Sequence, residues 1–393
     1  MKILLIHNQY GAPDGEESLV NKARYLLEEK GHEVVPFFRS SREIPEMTFG
    51  KARAFFSGIH SWSSRKAVRE ILRFQRPDVV FVHNVFPFIS PFVLVECRRA
   101  DVPVVMSVNN YRLICPNGLF LTKGQICEKC AGGREYWCVL RNCERHIFKS
   151  IGYALRNAVA RWGRAFTDNV SAYAVFTEFQ RQKLIGEGFP PERIFIIPNA
   201  VNGKDLQNTT AAGEYVGCVG RISPEKGTAV LVEAARQCPQ IPFRATGTTA
   251  RMPHLVHQAP KNFEFAGYID DNELAAFYTR SRFIVIPTLC YEGFPSVCVE
   301  AMMLGKAVAI SRIGGMPEIV EDGVTGLLFE PGNARDMAEK IRYLWSRPRL
   351  CLELGQAGRK KALREYSPEK YYERLMDAYR KAIQLFPAQH KHQ

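Results

Sequence analysis

Residues Tyr291–Val320 read YEGFPSVCVEAMMLGKAVAISRIGGMPEIV, and the apolar run FIVIP just before them, Phe283–Pro287, reads as a buried parallel strand. Gly293 and Pro295 break the chain into a tight loop, and VCVEAMML resumes at helical spacing. Glu292 therefore falls on the loop at the strand's C-terminal end. Glu300, eight residues on, falls inside the helix that this loop opens. In open α/β sheets ligands bind at such strand ends, and the N–H groups of a helix start suit an anion there. Two carboxylates beside an anion site fit hydrogen bonds to ligand hydroxyls. The plainer reading is a solvent-exposed loop Glu and a helix Glu paired with Lys or Arg.

The rest of the chain repeats this alternation of strand and helix, which argues for parallel sheets with helical crossovers. In the first half the strands read KILLI, HEVVPFF, DVVFV, VPVVMSV, AYAVFT and RIFIIP. In the second they read YVGCVGRI, FRATG, FEFAG, RFIVIP and AVAIS. Between the halves, PNAVNGKDLQNTTAAGEY is rich in Asn, Gly and Thr and poor in apolar residues. The expected division is therefore 1–204 for an N-terminal Rossmann-like domain and 205–367 for a C-terminal one. A final helical stretch, 368–393, follows the break at Ser367-Pro368 and belongs to the second domain or packs back on the first. Two doubly wound domains facing across a cleft would put their strand-end loops around a ligand.

A chain of 393 residues with 46% hydrophobic composition is long enough for two such cores. It contains no apolar run of bilayer-spanning length. The start, MKILLIHNQYG, is too short in apolar residues for a secretory leader and reads as a strand. A cytoplasmic protein is expected, and its eleven cysteines then read as thiols or metal ligands. The net charge of +13 is concentrated in two stretches: Arg39–Arg76 carries nine Lys or Arg against three acids, and Arg134–Lys183 nine against four. Aromatics accompany them, as in KARAFFSGIHSW. Peripheral contact with an anionic membrane, on the inner face of the cell membrane, fits this pattern, as does a soluble helix with a charged face. No nucleic-acid reader motif accompanies the charge.

Two βα turns are candidates for phosphate. After YVGCVGRI come SPEKG and a helix, so Arg221 stands at a strand's end and Lys226 in the turn. An Arg fork and a Lys ammonium can match a diphosphate without a metal ion. In the first half QYGAPDGEES supplies Gly11 and Gly15, which allow close backbone approach before a helix N-terminus.

Taken together, these segments resemble the retaining glycosyltransferases of family 4, of GT-B fold. The resemblance runs from the N-terminal glycine loop and GHEV through PDVVFVHN, NYRLICPNG, TEFQRQKL and RIFIIPNAVN to GRISPEKG and the long block from Glu292 to Asn333. It implies that Arg221 and Lys226 hold the donor's diphosphate. Glu292 would contact the transferred sugar beside the N–H groups of Gly293 and Phe294, Glu300 would accept hydrogen bonds from the ribose, and Gly15 would approach the phosphates and acceptor. The implied reaction takes a sugar from a nucleotide-diphospho-sugar to a hydroxyl of a saccharide or lipid-linked acceptor, with retention and no required metal, in envelope or extracellular polysaccharide assembly. One residue departs from the pattern. Relatives commonly carry a histidine before the NYR segment, where this chain has Asn109, which can hydrogen-bond a hydroxyl but cannot carry a proton. A GT-B epimerase and a catalytically silent membrane-associated scaffold of the same fold are the alternatives.

Five cysteines crowd residues 115–145 in the N-terminal half. Cys127 and Cys130 form a C-x2-C knuckle flanked by Cys115 and Cys143, and four such thiolates would make a structural zinc site. Some members of the resembled family share a cysteine-rich insertion here. Cys138 is then the extra one, and a set of thiols without metal is the alternative.

Overall fold

The computed structural model describes residues 1–10, 15–46, 50–201 and 213–390. In it the apolar runs become strands. In chain order these are β1 (Lys2–Gln9), β2 (Glu33–Ser40), β3 (Val79–Val82), β4 (Val104–Ser107), a short antiparallel hairpin of β5 (Leu121–Thr122) and β6 (Gln125–Ile126), β7 (Ala172–Val175) and β8 (Ile194–Ile196). The second half supplies β9 (Tyr215–Val219), β10 (Phe243–Thr246), β11 (Phe263–Gly267), β12 (Ser281–Ile286), β13 (Ala307–Ser311) and β14 (Leu327–Phe329). Among the described residues they form two six-stranded sheets, ordered β2-β1-β3-β4-β7-β8 and β11-β10-β9-β12-β13-β14. Every pairing in the two large sheets is parallel. Each sheet reverses its winding beside its own first strand, between β1 and β3 and between β9 and β12. That is the doubly wound, Rossmann-like plan expected from the sequence. β14 was hidden in GVTGLLFEPGN, where three apolar residues between glycines gave too little periodicity to read.

The strand sequences explain the layers. Side chains alternate across a strand, and β12 and β13 are buried on both faces. Phe283, Val285, Ala307 and Ala309 face one apolar cluster, with Leu231, Phe243 and Ile341. Ile284, Ile286, Val308 and Ile310 face another, with Val299, Met302 and Leu328. This is why these strands read as continuous β-branched runs with no polar face.

The chain divides into two compact units. The first comprises Met1–Leu119, Glu128–Pro198 and Tyr371–Gln393, and the second Phe120–Cys127 and Asn199–Lys370. The last helix, Pro368–His390, joins the first unit through aromatic contacts. Tyr379 meets Phe81 with ring centroids 5.7 Å apart, and Tyr372 lies with its hydroxyl 2.8 Å from His32 Nε2. The boundary read near residue 205 lies outside the described residues, as does Gly11. Gly15 opens the helix Gly15–Glu29, which buries Val20, Ala23 and Leu27.

Candidate functional site

In the second unit the loops after β9 and β12 meet at the winding reversal. After β9 the chain passes Gly220 and Arg221, turns through the short 3-10 helix Pro224–Lys226, and reaches Gly227 at φ +71° before the helix Thr228–Arg236. A Cβ on Gly227 would lie 1.8 Å from the Pro287 carbonyl oxygen, so only glycine lets the two loops touch. The Leu289 N–H donates to Glu225 O at 2.9 Å, and the Thr288 hydroxyl lies 3.2 Å from the same oxygen. The β9 loop is thereby fixed to the β12 loop, and Lys226 is delivered to Glu292.

Lys226 Nζ lies 2.6 Å from Glu292 Oε1, with side chains 34% and 14% exposed. The Thr288 hydroxyl is 3.0 Å from the same carboxylate oxygen. Burial works against the Glu292 charge, but the charge and hydrogen bond of Lys226, the Thr288 hydroxyl and the charge of Arg221 outweigh it and hold the carboxyl below its usual range. Burial likewise opposes the Lys226 ammonium, and Glu292 reverses that and raises it. Both groups stay ionised. Arg221, exposed at the end of β9, adds a second positive charge that both of them feel.

Gly293 and Phe294 follow Glu292 and precede the helix Ser296–Met303, which carries Glu300 half-buried on its second turn. The Tyr278 hydroxyl donates to Glu300 Oε2 at 2.9 Å and orients that carboxylate. The plainer reading left the loop Glu in solvent and paired the helix Glu with Lys or Arg; here the loop Glu takes the lysine and the helix Glu a tyrosine. Tyr278 and Thr288 were not singled out from the sequence. Both stand in ordinary apolar contexts, and only the folded loops bring them to the carboxylates.

The first unit gathers a second polar group at the ends of β1, β3 and β4. Asn109 is its centre. The Ser107 hydroxyl donates to Asn109 Oδ1 at 2.6 Å, while Asn109 Nδ2 lies 2.9 Å from Glu16 Oε1 and 3.3 Å from His83 Nδ1. The Tyr10 hydroxyl donates to Glu16 Oε2 at 2.9 Å and accepts from Arg112 Nη1 at 2.7 Å. Burial disfavours the Arg112 charge, but Tyr10 and Glu16 more than offset it. Glu16, His83, Asn109 and Arg112 line one narrow cavity. Glu16, Tyr10 and Arg112 were missed in the sequence, because contacts spanning 93 and 102 residues leave no local signal. Gly15, next to Glu16, has nothing among the described residues within 4 Å of where a Cβ would stand.

His7 sits behind this group, fully buried, with neither ring nitrogen hydrogen-bonded among the described residues. Burial lowers its pKa from 6.5 to about 4. The unfolded chain therefore takes up a proton near pH 6.5 and the folded chain only near 4, so stability is complete above 6.5 and drains as the pH falls through that window. The loss at pH 5 should be about 2 kcal/mol at 1.36 kcal/mol per pH unit. Urea unfolding at pH 7 and pH 5 should show His7→Leu losing less than the parent; an identical acid loss in both would remove His7 as the cause.

The expected thiol clip is not found. Among the described residues no three His, Cys, Asp or Glu side chains are placed to hold a metal ion. The residue set aside, Cys138, lies at the centre of the cysteines instead. A hydrogen bond with Cys143, burial, and the nearby Cys143, Cys130 and Cys115 all push its thiol pKa up. Cys130 and Cys138 pack with Ala154, Trp137 and Cys143 in a small apolar cluster. Cys127 instead ends the β5–β6 hairpin, half-buried, its N–H on Phe120 O at 2.8 Å. The expected set Cys115, Cys127, Cys130 and Cys143 is thus not gathered as a metal site among the described residues: Cys130 packs in the apolar cluster and Cys127 ends the hairpin.

Residues 15–204 match the family described as Glycosyltransferase Family 4, and residues 207–361 the family described as Glycosyl transferases group 1. The two matches lie side by side and together cover most of the chain, one on each of its glycosyltransferase-like halves. An uncharacterized glycosyltransferase of Methanocaldococcus jannaschii is 33% identical over 198 residues, 49% of this chain and 54% of that protein. The chain spans about half the length of the curated relatives it matches. Among solved structures, sucrose-phosphate synthase from Thermosynechococcus elongatus superposes with a TM-score of 0.75 at 19% identity, covering 98% of this chain and 99% of that one. HepE of Anabaena in complex with UDP gives 0.65 at 18% identity, covering 96% and 99%. The fold is thus GT-B, with two Rossmann-like domains.

Proposed function

We propose that the chain is a retaining glycosyltransferase that moves a sugar from a nucleoside-diphospho-sugar to an acceptor hydroxyl. The observation that carries this reading is the Lys226–Glu292 pair at the winding reversal of the second sheet, with Arg221 beside it and Glu300 on the helix that follows. An arriving diphosphate competes with Glu292 for the ammonium. Lys226 then turns to a phosphate oxygen, joined by the Arg221 fork, and the released carboxylate accepts hydrogen bonds from the sugar's hydroxyls. Glu300, oriented by Tyr278, accepts from the ribose hydroxyls. The N–H groups of Gly293 and Phe294, at the start of the helix Ser296–Met303, favour the donor's negative charge. The complex of the similar HepE with UDP supports a nucleoside diphosphate as leaving group.

In the reaction the bond between the anomeric carbon and the diphosphate breaks, and the two phosphates carry its electrons away against Arg221 and Lys226. The acceptor oxygen attacks from the same face, and its proton passes to the departing phosphate oxygen. The sugar passes through an oxocarbenium-like state that the Glu292 carboxylate stabilises. No protein nucleophile is assigned. In the first unit Asn109, Glu16 and His83 offer neutral and charged hydrogen bonds of the kind that hydroxyls take. A saccharide or lipid-linked acceptor of envelope polysaccharide assembly, met at the inner face of the membrane, fits the basic first half.

Incubation with a panel of UDP- and GDP-sugars should release the matching nucleoside diphosphate, and proton NMR of the product should show the donor's anomeric configuration. An inverted product would overturn the retaining route. At Asn109 the account predicts that Asn109→Ala lowers kcat/KM about tenfold, for two hydrogen bonds worth about 1 kcal/mol each or less. Asn109→His should bring no gain, since the amide already satisfies Ser107, Glu16 and His83. A large gain would mean that the native residue limits the chemistry.

A further inference from the structure

The helix Ile147–Trp162 in the first unit is built inside out. Its buried residues are small or polar: Ser150, Ala154, Arg156, Asn157, Ala158 and Ala160. Its outward face carries Phe148, Ile151, Leu155 and Trp162, 72%, 37%, 38% and 69% exposed. These positions follow i, i+3, i+7 and i+14, a single stripe about 20 Å long at 1.5 Å per residue. A soluble helix that needed only to cover the sheet would show the opposite arrangement.

Neighbouring elements extend the stripe. Phe55 lies against Gly152, where a Cβ would come within 2.7 Å of its ring, and the adjoining Phe56 is 67% exposed. At the other end Phe92 meets Gly163, next to Trp162, and passes contact through His60 to Trp62, which is 75% exposed. Exposed large side chains on three helices, Gly50–Ile59, Trp62–Gln75 and Ile147–Trp162, therefore share one surface. Patches of this kind mark an interaction site.

We infer that this surface docks on an anionic lipid bilayer, with the stripe in the headgroup boundary and its basic neighbours on the phosphates. Charge decides between occupants. The two stretches that hold the patch, Arg39–Arg76 and Arg134–Lys183, carry eleven of the chain's thirteen net positive charges. Arg145, Lys149, Arg161 and Arg164 are exposed on or beside the stripe helix itself. Lys149, Arg161 and Arg164 are bridged to Glu144, Glu135 and Asp168, which holds their stems beside the stripe. Two tryptophans among the apolar residues suit the boundary between hydrocarbon and water. A second copy of so basic a surface would meet like charge. No described helix is long and apolar enough to cross a membrane, so the contact is peripheral.

The inference does not depend on the proposed chemistry, and its test reads the two separately. The protein should float with vesicles of phosphatidylcholine containing 30% phosphatidylglycerol, at least tenfold more than with pure phosphatidylcholine, and 0.5 M salt should release much of it. Leu155→Ser combined with Trp162→Ala should lose at least tenfold of that binding while keeping the melting temperature and the rate of nucleoside diphosphate release. Equal flotation with both vesicle types, or undiminished binding by the double variant, overturns the inference. So does light scattering that shows a dimer which the double variant converts to monomer, because a second copy would then cover the stripe.

Discussion

Lys226→Ala should lower the rate of sugar transfer by 10²–10³-fold. In the proposed mechanism the side chain answers for charge that grows on the departing phosphate, and removing one preorganised partner of such a charge typically costs about that much. The effect should fall on kcat more than on KM, since the phosphate is more negative in the transition state than in the bound donor. Stability should suffer far less. The ammonium is one-third exposed, so the lost pair is worth on the order of 1 kcal/mol. Glu292→Ala should be as damaging to turnover, and the double variant little worse than either single one, because the two residues act as a unit. Losses that simply multiply would mean that lysine and glutamate work independently, and the swap from carboxylate to phosphate would be wrong.

Gly227→Ala should be the most damaging small substitution in the second unit. The new methyl would stand 1.8 Å from the Pro287 carbonyl, a backbone atom that cannot rotate away, and φ +71° is itself unfavourable for alanine. The φ term alone costs about 1–2 kcal/mol. The clash must add to it by prising the β9 loop from the β12 loop, which separates Lys226 from Glu292. Gly323→Ala is the matched control: its φ is +76°, but nothing lies within 4 Å of the added methyl. Thermal unfolding should show a clear drop for Gly227→Ala and a much smaller one for Gly323→Ala, with UDP binding lost only in the former. Equal drops would assign the whole effect to φ and leave the loop contact without consequence.

What could be read before folding was whatever repeats locally. The central strands, such as β3, β4, β12 and β13, announce themselves as apolar runs between turns, because each is buried on both faces. Glu292 and Glu300 were legible for the same reason: strand, loop and helix follow one another within twenty residues. β14 escaped because three residues carry no period. The partners of the carboxylates escaped because Tyr278 and Thr288 look like any core tyrosine and strand-end threonine, and nothing ties Tyr10 to Arg112 across 102 positions. The cysteines were legible only as a crowd: their spacing says nothing about which thiols share a neighbourhood, and among the described residues Cys138, not Cys127, packs with Cys130 and Cys143. The exposed stripe of the helix Ile147–Trp162 was not read from the sequence, because the period alone does not say which side is buried; the burial of Ser150, Ala154, Asn157 and Ala158 does.

The central claim is that the loops after β9 and β12 hold a nucleoside diphosphate between two cations and a ribose-binding carboxylate. Crystals grown with UDP, and in parallel with GDP, test it most directly. The account predicts density for at least one of them with the β-phosphate within hydrogen-bond distance of Lys226 Nζ and the Arg221 guanidinium, and with the ribose hydroxyls on Glu300. A nucleotide bound elsewhere, or one whose phosphates leave Lys226 paired with Glu292, would contradict it.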